Sequence, residues 1–417
     1  MGRLAEGCPG RIRADAMSGV LVVGRPLKIN VLAVTEDAGF VRPLRLDMPL
    51  LTLKRQGLIA DYFTTDPTLF NVPDDQFFHV VWLQRIRFSA LIRHLEERVG
   101  SRYVYDIDDF MIGAPSYLSE SELHRDTVAK AIKASCTLTV PSARLATMLE
   151  TALGVKLSQK TVVCPNAFDF PEALRSPKKA RGVLLTNSDA LPLFANRAPF
   201  VAALRQFIER YDLPLYHVGA PFRGLESLGG RVVSLGRVPF WQYHFFLASM
   251  PPLIGLAPLE TAGDKDTLEF IRGKSDIKMV AYGGFGHPSL YSNAPPYTET
   301  DIRAGLIVEN TFASWRDGLE KAFHETWRTL DVEQREIVAK RHIDVIARDA
   351  WYVALEQAKL DKPIPGKTIK YASGRLRYYE GALRHMILSQ DHAFRRDLQK
   401  NLPDFAIRLL RRFLIKI

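Results

Sequence analysis

The chain has 417 residues, 47% of them hydrophobic and 24% charged, which is ordinary globular composition with room for two domains. No run reaches the roughly eighteen apolar residues that a membrane span needs, and the N-terminus lacks the order of charged, apolar and small residues of a secretory leader, so the expectation is a cytoplasmic protein. Three scattered cysteines, Cys8, Cys136 and Cys164, exclude a disulfide framework or zinc site and read as buried reduced thiols, while the net charge of +10 is concentrated in the tail, where twelve Lys or Arg beyond Pro363 face four acids.

Residues 1–26 carry no clear period and read as extended or disordered. Beyond them, short apolar runs rich in β-branched residues alternate with helical patterns. LKINVLAV (27–34) reads as a strand and PLRLDMPLLTLKRQG (43–57) as a helix; LIADYF, FHVVWLQ and RYVYDID follow as strands, with the helical RFSALIRHLEERVG between the last two. A helix near 119–134, the strand CTLTV, the helix SARLATMLETAL and the strand TVVC complete a first half over 27–170. His79, inside the run FHVVW, reads as a satisfied strand histidine. The polar, proline-bearing PNAFDFPEALRSPKKARG (165–182) reads as an interdomain linker.

A second half over 171–330 alternates in the same way, from the strand GVLLTN and helix APFVAALRQFIERY to the strand PLIGLAPL, the helix SDIKMVAYGG, the strands PSLYS and GLIVEN, and a Trp-bearing helix. Closing helices over 331–362 and a basic tail over 363–417 follow. The predicted fold class is α/β, with two doubly wound Rossmann-like domains facing a cleft and a C-terminal helical tail. Open parallel sheets bind ligands beyond the carboxyl ends of their strands, so the loops there are where function is sought.

Gly273-Lys274-Ser275 invites comparison with a phosphate-binding loop. A Walker A loop also needs Gly five positions before the Gly of Gly-Lys-Ser, and Leu268 stands there, followed by Glu269, which argues against a nucleoside triphosphatase. Ser275 is nonetheless a good N-cap for the helical pattern after it, whose first N–H groups and positive dipole end would face the cleft. Lys274 and Lys278 add charge at the same point. A diphosphate suits such a site; the plainer alternative is a capped surface helix with two solvated lysines.

In the first half, Asp106-Ile107-Asp108-Asp109 closes a strand. An Asp-x-Asp there is one way to hold a divalent cation through hard oxygen ligands. Asp108 or Asp109 would otherwise orient an acceptor hydroxyl or act as general base, with Asp37 on the loop after the first strand as the other candidate. The alternative for each is an exposed loop acid.

The strings GLAPL, GKSDIK, YGGFGHPSLYSNAPPY and GLIVEN, in that order, resemble the donor half of bacterial glycosyltransferases of the GT-B fold, in the retaining group-1, family 4-like class. VVWLQR, RYVYDIDD, TLTVPS and VVCPNAFD are similar to the acceptor half of those enzymes, so the resemblance covers about residues 27–357. It implies transfer of a sugar from a nucleotide-sugar donor to a glycan or lipid-linked acceptor, in cell-surface polysaccharide assembly, with no metal or other cofactor. By the same resemblance, Asn187 and Arg197 after the first strand of the second half, with Lys274, Ser275 and Lys278, would serve the diphosphate. Gly219 and Arg237 would border the nucleoside. The class commonly carries two glutamates eight positions apart; the equivalent positions here are Gly273 and Ala281, and neither is a carboxylate. That departure supports the alternative of a non-catalytic nucleotide- or sugar-binding module on a degenerate GT-B fold.

The tail has the cleanest periodicity of all. Leu398, Leu402, Phe405, Leu409, Phe413 and Ile417 follow helical spacing, with Arg408, Arg411, Arg412 and Lys416 on the other face. Residues 398–417 would either lie on an anionic membrane surface, as a peripheral anchor, or dock on the protein body or a partner. No basic groove interleaved with aromatics accompanies the charge, so nucleic acid is not the expected partner.

Overall fold

The computed structural model describes residues 29–36, 39–65, 72–87, 89–113, 121–173, 179–187, 197–221, 224–325 and 328–369. In the first half the strands are β1 (Asn30–Thr35), β2 (Asp61–Thr65), β3 (Phe77–Phe78), β4 (Val80–Gln84), β5 (Val104–Asp106), β6 (Thr137–Val140) and β7 (Thr161–Val163). They alternate with the helices α1 (Met48–Arg55), α2 (Ser89–Val99), α3 (Ser121–Ala134) and α4 (Ala143–Leu153). All but β3 form one parallel sheet in the order β2-β1-β4-β5-β6-β7.

The second half contains β8 (Val183–Asn187), α5 (Ala198–Tyr211), β9 (Leu215–Gly219), β10 (Val232–Gly236), α6 (Phe240–Ser249) and β11 (Ile254–Ala257). It continues through α7 (Lys265–Arg272), α8 (Ile277–Gly284), β12 (Ser289–Ser292), α9 (Pro295–Thr298), β13 (Leu306–Val308) and α10 (Phe312–His324). Its sheet is parallel in the order β10-β9-β8-β11-β12-β13. Succession reverses between β1 and β4 in one sheet and between β8 and β11 in the other, which places a crevice at the carboxyl ends of those strands.

Local chemistry accounts for these elements. Central strands β4, β6, β11 and β12 are buried at every position, as parallel strands covered on both faces must be, and their runs of Val, Leu, Ile and Thr suit that environment. Helix α4 starts where the Ser142 hydroxyl accepts from the Leu145 amide at 3.2 Å and stops at Gly154, whose φ of 60° favours glycine. His79 is satisfied as expected, its Nδ1 accepting from the Asn30 amide at 3.1 Å. Cys164 is buried, while Cys136 is only partly so.

Three features differ from the sequence reading. The start of the supposed linker is core: Asn166, Ala167, Phe168 and Phe170 are buried, and the Phe168 ring stacks 6.1 Å from that of Phe240. Its apolar side chains alternate among polar ones and bridge the halves. Helix α7 was not anticipated; Asp264 caps it by accepting from the Thr267 amide at 2.9 Å, and Phe270 carries it into the hydrophobic cluster of the first half. The closing segment, α11 (Leu330–Arg341), α12 (Ile343–Ile346), α13 (Tyr352–Ala358), β14 (Ile364–Pro365) and α14 (Gly366–Ile369), returns to the first half. Trp351 packs 5.0 Å from Trp82, and β14 pairs antiparallel with β3. One hydrophobic cluster runs through both halves, with Phe40 edge-on to Phe240 at 5.0 Å. No helix among the described residues is long and apolar enough to cross a membrane. The amphipathic stretch 398–417 lies outside the described residues.

Candidate functional site

The carboxyl end of β5 sorts its three aspartates into two roles. Asp106 is fully buried and accepts from Arg45 Nη2 at 2.6 Å and Nε at 3.2 Å, together with the Thr139 hydroxyl at 2.7 Å. Its oxygens are committed to holding the fold. Asp108 and Asp109 turn toward the cleft, with side chains 14% and 19% exposed. Arg85, at the end of β4, lies 3.4 Å from Asp108 and 3.8 Å from Asp109, and adopts a left-handed φ of 51° that a non-glycine residue keeps only under constraint.

These two acids are driven apart electrostatically. Burial pushes Asp108 up to about 6, with Asp109 and Asp106 adding to the effect against the pull of Arg85. Its Oδ1 is buried and faces Arg85 Nη1 at 3.4 Å, with no hydrogen bond among the described residues. Burial would raise Asp109 too, but the Lys274 and Arg85 cations outweigh it and hold that carboxyl below its ordinary value.

The Gly273-Lys274-Ser275 turn faces this pair from the second half. Lys274 Nζ donates to Asp109 Oδ1 at 3.1 Å and lies 4.6 Å from the Phe270 ring centre. Gly273 is required by packing: a Cβ there would stand 2.5 Å from the Cβ of Phe110 in the first half. Ser275 is not the N-cap that its local sequence suggested. Asp276 occupies that position without a side-chain cap, its carboxylate held instead by Arg341 at 3.0 Å and by the Thr300 hydroxyl. The Ser275 hydroxyl accepts from Asn166 Nδ2 at 2.7 Å. Because Arg45 can only donate, its 3.2 Å contact with Asn166 Oδ1 fixes the amide so that the NH2 faces Ser275. The single serine proton is then left to donate elsewhere.

Lys278, the second residue of α8, reaches the end of β8, where Nζ donates to the Thr186 carbonyl at 2.6 Å. Burial, and then Lys274, lower it to about 8. Asn187 is tied to β9 through His217 Nε2 at 2.7 Å and the Ala220 carbonyl at 2.8 Å. Gly219 has φ 134°, and a Cβ on it would fall 1.7 Å from the Asn187 carbonyl oxygen, so its glycine serves this close approach of β8 and β9. Arg237 is exposed beyond the edge strand β10, and Arg197 precedes α5. Asp37 lies outside the described residues.

Beside the turn, a cavity of about 480 Å³ opens at the carboxyl ends of β11 and β12, lined by Glu260, Thr261, Glu269, Arg272 and Asn293 among others. Among the described residues, no group of three or more His, Cys, Asp or Glu is arranged to hold a metal ion. The sequence reading passed over Arg85, Asn166 and Arg144. Arg85 and Asn166 lie inside the quoted motifs VVWLQR and VVCPNAFD, and Arg144 inside the helical SARLATMLETAL, each without an assigned role.

No family model matches the sequence, and no curated protein matches it. Among solved structures, Anabaena HepE in complex with UDP and glucose superposes with a TM-score of 0.52 at 14% identity, covering 77% of this chain and 97% of the other. HepE with UDP gives a TM-score of 0.50 at 13% identity, covering 77% and 98%. The similarity is one of fold, and it identifies the architecture as two Rossmann-like domains facing a cleft, the GT-B arrangement.

Proposed function

We propose that the chain is a glycosyltransferase of the group-1, family 4-like class, which moves a hexose from a nucleotide-sugar donor held by the second half to a glycan or lipid-linked acceptor held by the first, in polysaccharide assembly. The observation that carries the reading is the opposition of Lys274 and Ser275 to Asp108 and Asp109 across the crevice, with Lys274 Nζ 3.1 Å from Asp109. The HepE structures with UDP support it, since they share the fold and bind a nucleoside diphosphate.

Transfer breaks the bond from the sugar's anomeric carbon to the diphosphate oxygen and forms one to the acceptor oxygen. Negative charge grows on the departing diphosphate, where Lys274, the Ser275 proton, Lys278 and the first N–H groups of α8 stabilise it. The acceptor's proton goes to a carboxylate of the first half, Asp109 or Asp108. No metal takes part in this reading, because Arg45 and Thr139 occupy the oxygens of Asp106 that an Asp-x-Asp cation site would need. Ala281 is 2% exposed within the core, so the sugar hydroxyls fall to other groups, and Glu260 and Glu269 at the neighbouring cavity are the acids available. The chain works in the cytoplasm, at the membrane face when its acceptor is lipid-linked.

Titrating UDP, GDP, ADP, CDP and dTDP by calorimetry tests this. One nucleotide should bind the wild type selectively and bind Lys274→Ala, Lys278→Ala at least tenfold more weakly, since each lost charge-assisted contact removes about 1.5–3 kcal/mol. Binding of none would favour the non-catalytic module.

A further inference from the structure

Arg144 lies on α4 of the first half, yet its guanidinium is spent on the second. Nε donates to the Arg272 carbonyl at 2.6 Å, Nη2 to the Lys274 carbonyl at 2.7 Å, and Nη1 to the carbonyls of Pro295 at 2.8 Å and Glu299 at 3.0 Å. The side chain is 9% exposed, and the Glu299 carboxylate stands 3.7 Å away. An arginine presents five N–H donors in a rigid fork, and four contacts here go to backbone of the opposite domain. One acceptor, the Arg272 carbonyl, is the last of α7 and one that a helix leaves without an internal partner, and the Lys274 carbonyl lies two residues beyond it.

We infer that Arg144 is the positioning residue that closes the cleft: it caps α7 from across the interface and so fixes the backbone of Lys274 opposite Asp109. The other contacts at this point are ill-suited to that task. Phe110 against Gly273 is apolar and carries little direction, and the Lys274–Asp109 pair must part when an anion takes the lysine. The Arg144 contacts are to main chain, so they persist when the side chains of the turn change partners. They also tie the turn to α9, making the Arg272–Lys274 and Pro295–Glu299 segments one body with α4. Lysine would keep the charge at position 144 without the fork, and glutamine would keep neither.

Hydrogen exchange followed by mass spectrometry on the full chain without nucleotide tests this, using Arg144→Gln and the milder Arg144→Lys. Exchange should accelerate by roughly tenfold or more both over 270–278 and, in the opposite half, over 109–113, while peptides covering β1, β6 and β8 keep wild-type protection. The lysine variant should fall between. Acceleration confined to 272–274 and 295–299 would make Arg144 a local cap and overturn the inference. So would loosening of the strand peptides in both variants, which would make it part of the general core. A second arm rests on the donor reading: the nucleotide that binds the wild type should bind Arg144→Gln at least threefold more weakly. If none binds the wild type, the donor reading fails, and the exchange pattern still decides the role of Arg144.

Discussion

Replacing Arg45 by methionine removes the one cation that joins β5, the crossing at residues 164–166 and the returning C-terminal helices. Arg45 and Asp106 are both fully exposed to protein and not to water, with contacts of 2.6 Å and 3.2 Å. The same guanidinium donates to the Cys164 carbonyl at 2.6 Å and to Asn166 Oδ1 at 3.2 Å, and lies 4.4 Å from the Trp351 ring centre. Burial works against its charge, and the Asp106 carboxylate more than offsets this, holding the arginine above its ordinary value. Removing one partner of a buried pair leaves the other uncompensated and costs about 3–5 kcal/mol. Urea unfolding followed by circular dichroism at neutral pH should show that loss for Arg45→Met. The double variant Arg45→Met, Asp106→Leu should recover part of it, because no charge is then stranded. A single variant within about 1 kcal/mol of wild type, or a double variant no better than the single, would refute the reasoning.

Gly273→Ala should lower the melting temperature, since its Cβ would meet the Phe110 Cβ at 2.5 Å and the two domains must shift to admit it; overpacking of this kind costs about 1–3 kcal/mol, and an unchanged melt would show that the interface gives freely. Asp108, pushed up to about 6, binds its proton more tightly in the folded than in the unfolded chain, so its contribution to stability is complete below about pH 4 and is lost as pH rises through about 6. Asp108→Asn should then be more stable than wild type at pH 8 by on the order of 2–3 kcal/mol and no more stable at pH 4, and equal urea midpoints at pH 8 would count against it.

The architecture was legible because the central parallel strands write their burial on both faces into short, largely apolar runs, as in VVWLQ and IGLA, and the longer helices write a 3.6-residue period. The site was legible only where partners are close in sequence. Ser275 has the residue type of an N-cap, but the group that engages its hydroxyl, Asn166, comes from 109 positions earlier. The purpose of Gly273 depends on Phe110, and that of Arg144 on carbonyls more than a hundred residues away; no period or spacing encodes either. Helix α7 escaped because it has only two turns and a polar entry, Gly-Asp-Lys-Asp, which reads as loop until Asp264 is seen to cap it.

The pairing of Lys274 with Asp109 has a consequence for proton movement. In the free protein this contact of 3.1 Å, with Arg85, keeps the Asp109 carboxyl below its ordinary value despite burial. On the proposed function, a bound diphosphate would draw Lys274 toward itself and bring further negative charge into the crevice, and both changes would raise the proton affinity of Asp109 and Asp108. The carboxylates of the acceptor side therefore become better bases only once the donor is in place. Binding must then be accompanied by proton uptake, greatest just above about pH 6, between the titration of Asp108 in the free protein and its raised titration in the complex. Calorimetry of nucleotide binding in buffers of different ionisation enthalpy measures that uptake directly. It should be positive near pH 6.5, where Lys278 is already protonated, and shrink in Asp108→Asn. A binding heat that does not depend on the buffer at pH 6.5 would mean that Lys274 stays with Asp109 and that the anion is held by other groups.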